Sequence, residues 1–350
     1  MTRKPPPRRL SPHKSSTAGD VTIKDIARHL GLSHATVSRA LNDHPATNEL
    51  TKARVREAAL ALGYVRNAGA EMMRGASSRL VGLIIPDIQN EFFSAVAKGL
   101  AQRCAGQGLH LVLAVSEDDP ELERTHVMAL REARVAGFVI SPSQGCKDAT
   151  KALLAGLPTV KLIRDVSGLA GGFVGIDDRS GAYAATRHLL ALGHTRIAFV
   201  GGPEAISTAK DRLAGYLQAL TESGVPRDPS YIYLGPPRPG FGEIATAHIM
   251  SMTPRPTAVL LGSARLALGA FLALRRMEVP LPGQLSVLSY GDEEGASLGG
   301  VTAMALPVAD IVNALAEQLF SLIQGKDAQP TSATFPPALL VRSSTGPAPA

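Results

Sequence analysis

Tryptophan is missing from the 350 residues, aromatic side chains make up 4%, and only two cysteines occur, Cys104 and Cys146. With 45% of residues hydrophobic, a sizeable core must be filled by Leu, Val, Ile and Ala. Neither cysteine belongs to a Cys-x-x-Cys pair or a Cys/His cluster, which argues against a disulfide framework or structural zinc and suits a reducing cytoplasm. No stretch offers the ~18 uninterrupted apolar residues of a membrane span. The opening MTRKPPPRRLSPHKSSTAGD is basic, but no apolar run follows it, so it does not read as a secretory leader. Phosphate-loop and zinc-protease patterns are absent, and no GxGxxG follows a strand, so no cofactor or metal is expected. The run GASLG at 295–299 fits Gly-x-Ser-x-Gly around Ser297, but YGDEE separates it from the preceding strand, whereas a nucleophile elbow needs a direct strand-to-helix turn. With no triad to be assembled, an enzyme is not expected. His188 and His194, placed on an exposed-looking helix and turn, read as structural.

What is present is charge in one place. A chain of this length exceeds one average domain. Residues 1–79 hold 14 of the 36 lysines and arginines but 6 of the 30 acidic residues, a surplus of +8 against −2 for the remainder. Confining the surplus to the first quarter is the footprint of a polyanion-binding module. Residues 1–20 read as a basic disordered tail.

Residues 21–66 read as a three-helix DNA-binding domain. Thr22 and Asp25 form a capping-box variant opening a helix over 23–30, with Ile26, Ala27 and Leu30 on one face. Gly31 suits the tight turn that follows. Ser33 is placed to cap a second helix over 34–41, facing inward through Val37, Ala40 and Leu41. A third, about 48–62, buries Val55, Ala59 and Leu62. The outer face of the second helix carries His34, Ala35, Thr36, Ser38, Arg39 and Asn42. Short polar groups with one arginine let a helix enter the major groove, where base edges can be told apart.

VTIKDIARHLGLSHATVSRALN closely resembles the opening of the lactose- and purine-repressor-type (LacI-type) regulators. The resemblance implies a sequence-specific transcriptional regulator, in the usual case a repressor. It further implies that Ser33, Thr36 and Ser38 position the helix, that His34, Ala35 and Arg39 read bases, and that Asn42 makes a further backbone or base contact. Thr22, at the head of the first helix, joins this DNA-facing set. Residues 67–79 would be a hinge that folds into a helix on operator binding, with Met73 at the position of the apolar wedge that opens a minor-groove base step. Arg66 in place of a frequent proline, Glu71 in place of an arginine, and Gly69 at a cost of about 1 kcal/mol relative to alanine imply a hinge that orders less readily.

From Leu80 short apolar runs alternate with amphipathic helices: LVGLIIPD, LHLVLAVS, AGFVISP, LPTVKLI, TRIAFVGG, TAVLLGS and QLSVLSY read as strands. Asp119-Pro120 is an N-cap and N1 pair between two of them. Continuous apolar strands separated by helices mean parallel sheets covered on both faces, with a ligand at the carboxyl ends of the strands. The resemblance extends over 80–345 through IIPDIQNEFFSAVAKGL, DDRSGAYAATRHLLALGHTRIAFVGGP, STAKDRLAGY, RPTAV and VRSST. It implies an α/β periplasmic-binding-protein-like domain of two lobes joined by three crossovers, placed beside the small all-α helix-turn-helix headpiece.

By that resemblance Phe92 and Phe93 line the effector pocket, Ser116 faces it from a strand end, and Asp177, Arg212 and Asp292 lie around it. Ile163, Ser263-Ala264 and Gly291 occupy strand ends where sugar-responsive members carry acidic or amide groups. Lys161, Arg164, Arg212 and Arg265 lie near the same mouths. Fewer carboxylates and more guanidinium groups predict a positive cleft and an anionic effector, such as a carboxylic acid, sugar acid or phosphorylated metabolite. A neutral sugar is the alternative. A solute-binding transport component shares the fold but would need export and no helix-turn-helix. The implied partners are a pseudo-palindromic operator in double-stranded DNA, a small-molecule effector and a second copy of the chain in a homodimer, with no membrane. The end GPAPA after VRSST carries no heptads for a tetramer. Effector binding would move the lobes and so shift the operator-competent population.

Overall fold

The structure, a computed structural model, describes residues 21–64, 78–292, 294–325 and 329–349. Two compact units divide the chain between Ser77 and Ser78.

The first unit is three helices, α1 (Ile23–Leu30), α2 (His34–Leu41) and α3 (Glu49–Ala61). Each start has a local cause. The Thr22 backbone N–H and hydroxyl both donate to Asp25 Oδ2, at 2.9 and 2.6 Å. Ser33 Oγ accepts from the Thr36 N–H at 3.1 Å, and Asn48 Oδ1 from that of Thr51 at 2.8 Å. Gly31 ends α1 at φ 66°, left-handed backbone that a side chain would strain. Ile26, Val37, Ala40 and Val55 form the fully buried centre, with Leu30, Leu41 and Leu62 only partly covered around it.

The second unit contains two six-stranded sheets. One runs in the order β11-β5-β4-β3-β1-β2, from β1 (Leu80–Ile85), β2 (His110–Val115), β3 (Gly137–Ile140), β4 (Thr159–Leu162), β5 (Gly172–Ile176) and β11 (Ser332–Phe335). The other runs β12-β10-β9-β8-β6-β7, from β6 (Ile197–Gly201), β7 (Ile232–Leu234), β8 (Ala258–Leu261), β9 (Ser286–Tyr290), β10 (Thr302–Ala305) and β12 (Ala338–Leu340). All pairings are parallel except that of β10 with β12.

Helices cover both faces of the sheets, so the central strands are buried throughout, as their unbroken apolar runs require. Around the first sheet lie α4 (Glu91–Gly106), α5 (Pro120–Glu132), α6 (Asp148–Leu154) and α12 (Val308–Ile323). Around the second lie α7 (Asp178–Ala191), α8 (Ser207–Glu222), α9 (Pro239–Ser251) and α10 (Ala264–Arg276). The α9–α10 crossing is close enough that a Cβ on Gly269 would collide with the carbonyl oxygen of Pro239. The chain passes between the lobes three times: from β5 into α7, from β10 into α12, and from β11 into β12. These are the three crossovers that the resemblance implies.

His194 is fully buried and His188 half-buried, not exposed as their sequence positions suggest. Both fasten the C-terminal segment: His194 contacts Thr257 Oγ1 at 2.9 Å and Gly346 O at 3.0 Å, and His188 contacts Thr345 Oγ1 at 3.0 Å. Ser297 sits exposed within the short helix α11 (Glu294–Leu298), with no strand directly before it. Cys104 and Cys146 are free and buried, and burial pushes the Cys146 thiol up to about 12. Among the described residues no helix is long and apolar enough to cross a membrane.

Candidate nucleic-acid interface and ligand cleft

On α2 the residues divide by what they touch. Ser33 and Thr36 are tied to each other, through the cap and through their hydroxyls at 2.8 Å. Ser38 is half-buried, whereas His34, Ala35, Arg39 and Asn42 are exposed together. Polar and methyl groups able to read base edges thus share one side of a capped helix. Thr22 is exposed, and its hydrogen bonds hold the Asp25 carboxyl below the usual carboxylate range. Met73, and with it residues 67–77 of the expected hinge, lies outside the described residues.

In the second unit a cavity of about 370 Å³ opens between the lobes, within the range of small-molecule sites. The first lobe lines it with Phe92, Phe93, Ile163, Arg164 and Ile176. The second contributes Ile206, Thr208, Arg212, Ser263, Tyr290 and Asp292, and the β10–α12 crossover adds Leu306 and Val308.

Arg212 is held from three directions. Its Nε and Nη2 each lie 2.8 Å from Asp178 Oδ1, Nη1 donates to Gly262 O at 2.7 Å, and the guanidinium carbon stands 4.0 Å over the Tyr290 ring. Asp178 is 3% exposed, and this burial raises its pKa although Arg212 pulls it down.

The other charges are paired too. Arg164 donates to Asp118 at 2.6 Å and to Pro142 O at 3.1 Å. Lys161 pairs with Asp165 at 2.6 Å, and Asp292 receives a two-pronged contact from Arg342 at 2.6 and 2.9 Å. Arg265 crosses between the lobes to Asp87 at 3.4 Å and Gln89 Oε1 at 2.9 Å. The expected surplus of free cations is therefore not met, because every one of the four has a carboxylate partner.

Three of the expected pocket residues stand elsewhere. Ser116 is fully buried with its hydroxyl directed to Ile85 O at 3.4 Å, because the chain turns away after β2 toward α5. Asp177 is exposed and caps α7 by accepting from the Ser180 N–H at 3.0 Å; its neighbour Asp178 turns inward. Arg265 lines an adjoining groove on α10. The sequence reading missed Asp178, Thr208 and Tyr290. The DDR run at 177–179 signalled an acidic pair, but not which member turns inward.

A helix-turn-helix unit and a two-lobed, doubly wound unit with an inter-lobe cleft, held in one chain, define the class of ligand-responsive DNA-binding proteins. Residues 22–67 match the model of bacterial regulatory proteins of the lacI family, and residues 186–345 match a periplasmic binding protein-like domain. The transcriptional regulator GalR of Escherichia coli K12 is 31% identical, over 92% of this chain and 95% of that protein. The repressor CytR of the same strain is 29% identical, over 95% and 98%. Among solved structures, the lac repressor dimer bound to operator and the anti-inducer ONPF superposes with a TM-score of 0.82 at 25% identity, covering 93% of this chain and 99% of that one. The chain belongs to the lacI family of bacterial regulatory proteins, and is a DNA-binding transcriptional regulator rather than an enzyme.

Proposed function

We propose that the protein is a repressor that binds a pseudo-palindromic operator as a homodimer and changes its affinity when a small molecule fills the inter-lobe cleft. The observation that carries this is one chain holding both an exposed reading face, His34, Ala35, Arg39 and Asn42 on a capped helix, and a cavity lined from two lobes. Residues 21–66 are the reading head in this scheme, 67–79 the hinge with Met73 as its wedge, and 80–345 the effector and dimerisation domain. The lac repressor structure pairs the same fold with operator and ligand in a dimer. Leu268 and Leu272, 46% and 42% exposed on α10, offer an apolar face for a second copy.

For the effector, pairwise neutralisation of Arg164, Arg212, Lys161 and Arg265 favours an uncharged molecule. An anionic effector is the second reading. It is supported by Arg212, whose guanidinium lines the cavity and could present remaining N–H groups to a carboxylate.

The test is to select operators from random DNA with the full chain and then titrate matched neutral and acidic metabolites against the protein–DNA complex. A selected palindrome whose binding changes with a cleft ligand supports the reading. Failure to enrich any sequence would sink it.

A further inference from the structure

The two walls of the cleft differ in chemistry. The first lobe supplies Phe92, Phe93, Ile163 and Ile176, continued by Leu306 and Val308. Phe92 and Phe93 meet edge to face, with ring centroids 5.3 Å apart. Two polar lining residues of this wall are engaged within their own lobe. Asn90 Oδ1 accepts from the Phe92 N–H at 3.1 Å, and Arg164 is held by Asp118 and Pro142 O. The opposite wall is mixed: Thr208, Arg212, Ser263 and Asp292 stand among Ile206, Pro237 and Tyr290, and Arg212, Ser263 and Asp292 are likewise engaged within their own lobe.

Ile163 occupies a position that its own backbone resists. It sits at φ 51° in a three-residue turn closed by the Arg164 N–H donating to Leu162 O at 2.6 Å. Left-handed backbone is tolerated by Gly, Asn and Asp and strains a β-branched residue. Such strain persists where the surroundings over-determine it, and it clusters at binding sites. Ile163 packs against the first lobe's core and faces the cavity.

We infer that Ile163 sets the effector class: an uncharged ring compound with one apolar face, aromatic or alicyclic, whose hydroxyl, carbonyl or amide groups lie along the edge that meets Thr208, Arg212 and Ser263. A fully hydroxylated sugar is disfavoured, because hydroxyls turned to Phe92, Phe93, Ile163 and Ile176 would be desolvated without partners. The inference rests on the reading that the cleft holds the effector.

The experiment uses the full chain and its Ile163→Asn variant, titrated calorimetrically with galactose and glucose and with ring probes such as 4-hydroxybenzyl alcohol and cyclohexane-1,2-diol. Ring probes should bind the parent protein better than the hexoses and bind Ile163→Asn roughly tenfold more weakly, the loss expected when a polar group enters an apolar wall. The ligand-free variant should still melt cooperatively, at a temperature lowered only by the lost packing of Ile163 against the first lobe's core. That readout separates lost binding from a lost fold. Hexoses binding as well as the ring probes, ring probes not binding at millimolar concentration, or undiminished binding in the variant would each overturn the inference. If hexoses alone bind and alter operator affinity, this inference fails and the regulatory reading stands. If ring probes bind as expected and operator affinity ignores them, the regulatory reading fails instead.

Discussion

Replacing Arg212 with alanine tests how the cleft is held together. The substitution removes both contacts to Asp178, the bond to Gly262 O and the cation over Tyr290 at once. Asp178 then remains as a buried carboxylate without its cation. Breaking a buried pair from one side costs about 3–5 kcal/mol, mostly for the charge left behind. Spread over the unfolding entropy of a unit running from 78 to 350, that is a fall in melting temperature of roughly 5–9 °C.

The loss should depend on pH, with a defined sign. Burial already raises the folded-state pKa of Asp178, with Arg212 opposing the rise, so removing Arg212 raises it further. A carboxyl with a folded pKa above its unfolded value stabilises the fold when protonated, and that contribution is lost as pH rises through the folded pKa. The Arg212→Ala deficit should therefore shrink as pH falls through the folded-state pKa of Asp178 and be fully present above it. Adding Asp178→Asn should recover part of the stability at neutral pH. Calorimetric melting of the parent protein and the two variants from pH 5 to 8 checks this. A deficit under about 1 kcal/mol, the value of an exposed pair, or one independent of pH, would show that Arg212 is not a buried counter-charge.

The remaining predictions concern the reading head, the hinge and the C-terminal segment. Arg39→Ala should relax preference at one base position per half-site, at a cost of about 1–3 kcal/mol, and an unchanged motif in selection from random DNA would remove Arg39 from the base-reading set. Met73→Ala should reduce operator affinity and bending together; unchanged electrophoretic bending would end the wedge assignment. Burial lowers the His194 pKa below 6.5, so the folded state favours the neutral ring. Its stability contribution is present above that value and is lost as pH falls below it, so melting temperature should drop on acidification and His194→Gln should flatten that slope.

Much of the fold was legible because its causes are local. The starts of α1 and α2 are marked by Thr22 and Ser33, and all three helices lie within a residue of the expected 23–30, 34–41 and 48–62. Most central strands announce themselves as apolar runs because both faces are buried, but β5 was missed, its GFVGI run broken by Gly172 and Gly175. β10, β11 and β12 are three or four residues long, and the sequence SATF of β11 alternates exposed and half-buried positions. β3, β4 and β8 are no longer, so what hides β10, β11 and β12 is composition: TAMA, SATF and ALL offer few β-branched or aromatic residues to mark a strand. The site was legible as a place but not as a charge distribution. Arg164 and Asp118 are 46 residues apart, Arg212 and Asp178 34, and Arg342 and Asp292 50. Counting cations near the strand ends could not reveal partners brought in by the sheets' crossovers.

Those pairings also bear on how the cleft could move. Arg164–Asp118 and Lys161–Asp165 lie within the first lobe, and Arg212–Asp178 and Arg342–Asp292 within the second, so each wall is braced internally. Two contacts that run from lobe to lobe among the described residues are of another kind. Arg265 reaches Asp87 and Gln89, and the Asp165 N–H donates to Ser207 Oγ at 3.2 Å. Partly exposed contacts of this type are worth about 0–1 kcal/mol each. Shifting the lobes gives up little at these contacts, whereas deforming the second wall would break the buried Arg212–Asp178 pair. A ligand that prefers one lobe arrangement by a few kcal/mol is then enough to move the population, about 5.5 kcal/mol sufficing to carry it from 1:99 to 99:1. The apolar wall around Ile163 and the mixed wall around Arg212 stand on opposite lobes, so a ligand that needs both walls favours the arrangement that brings them together.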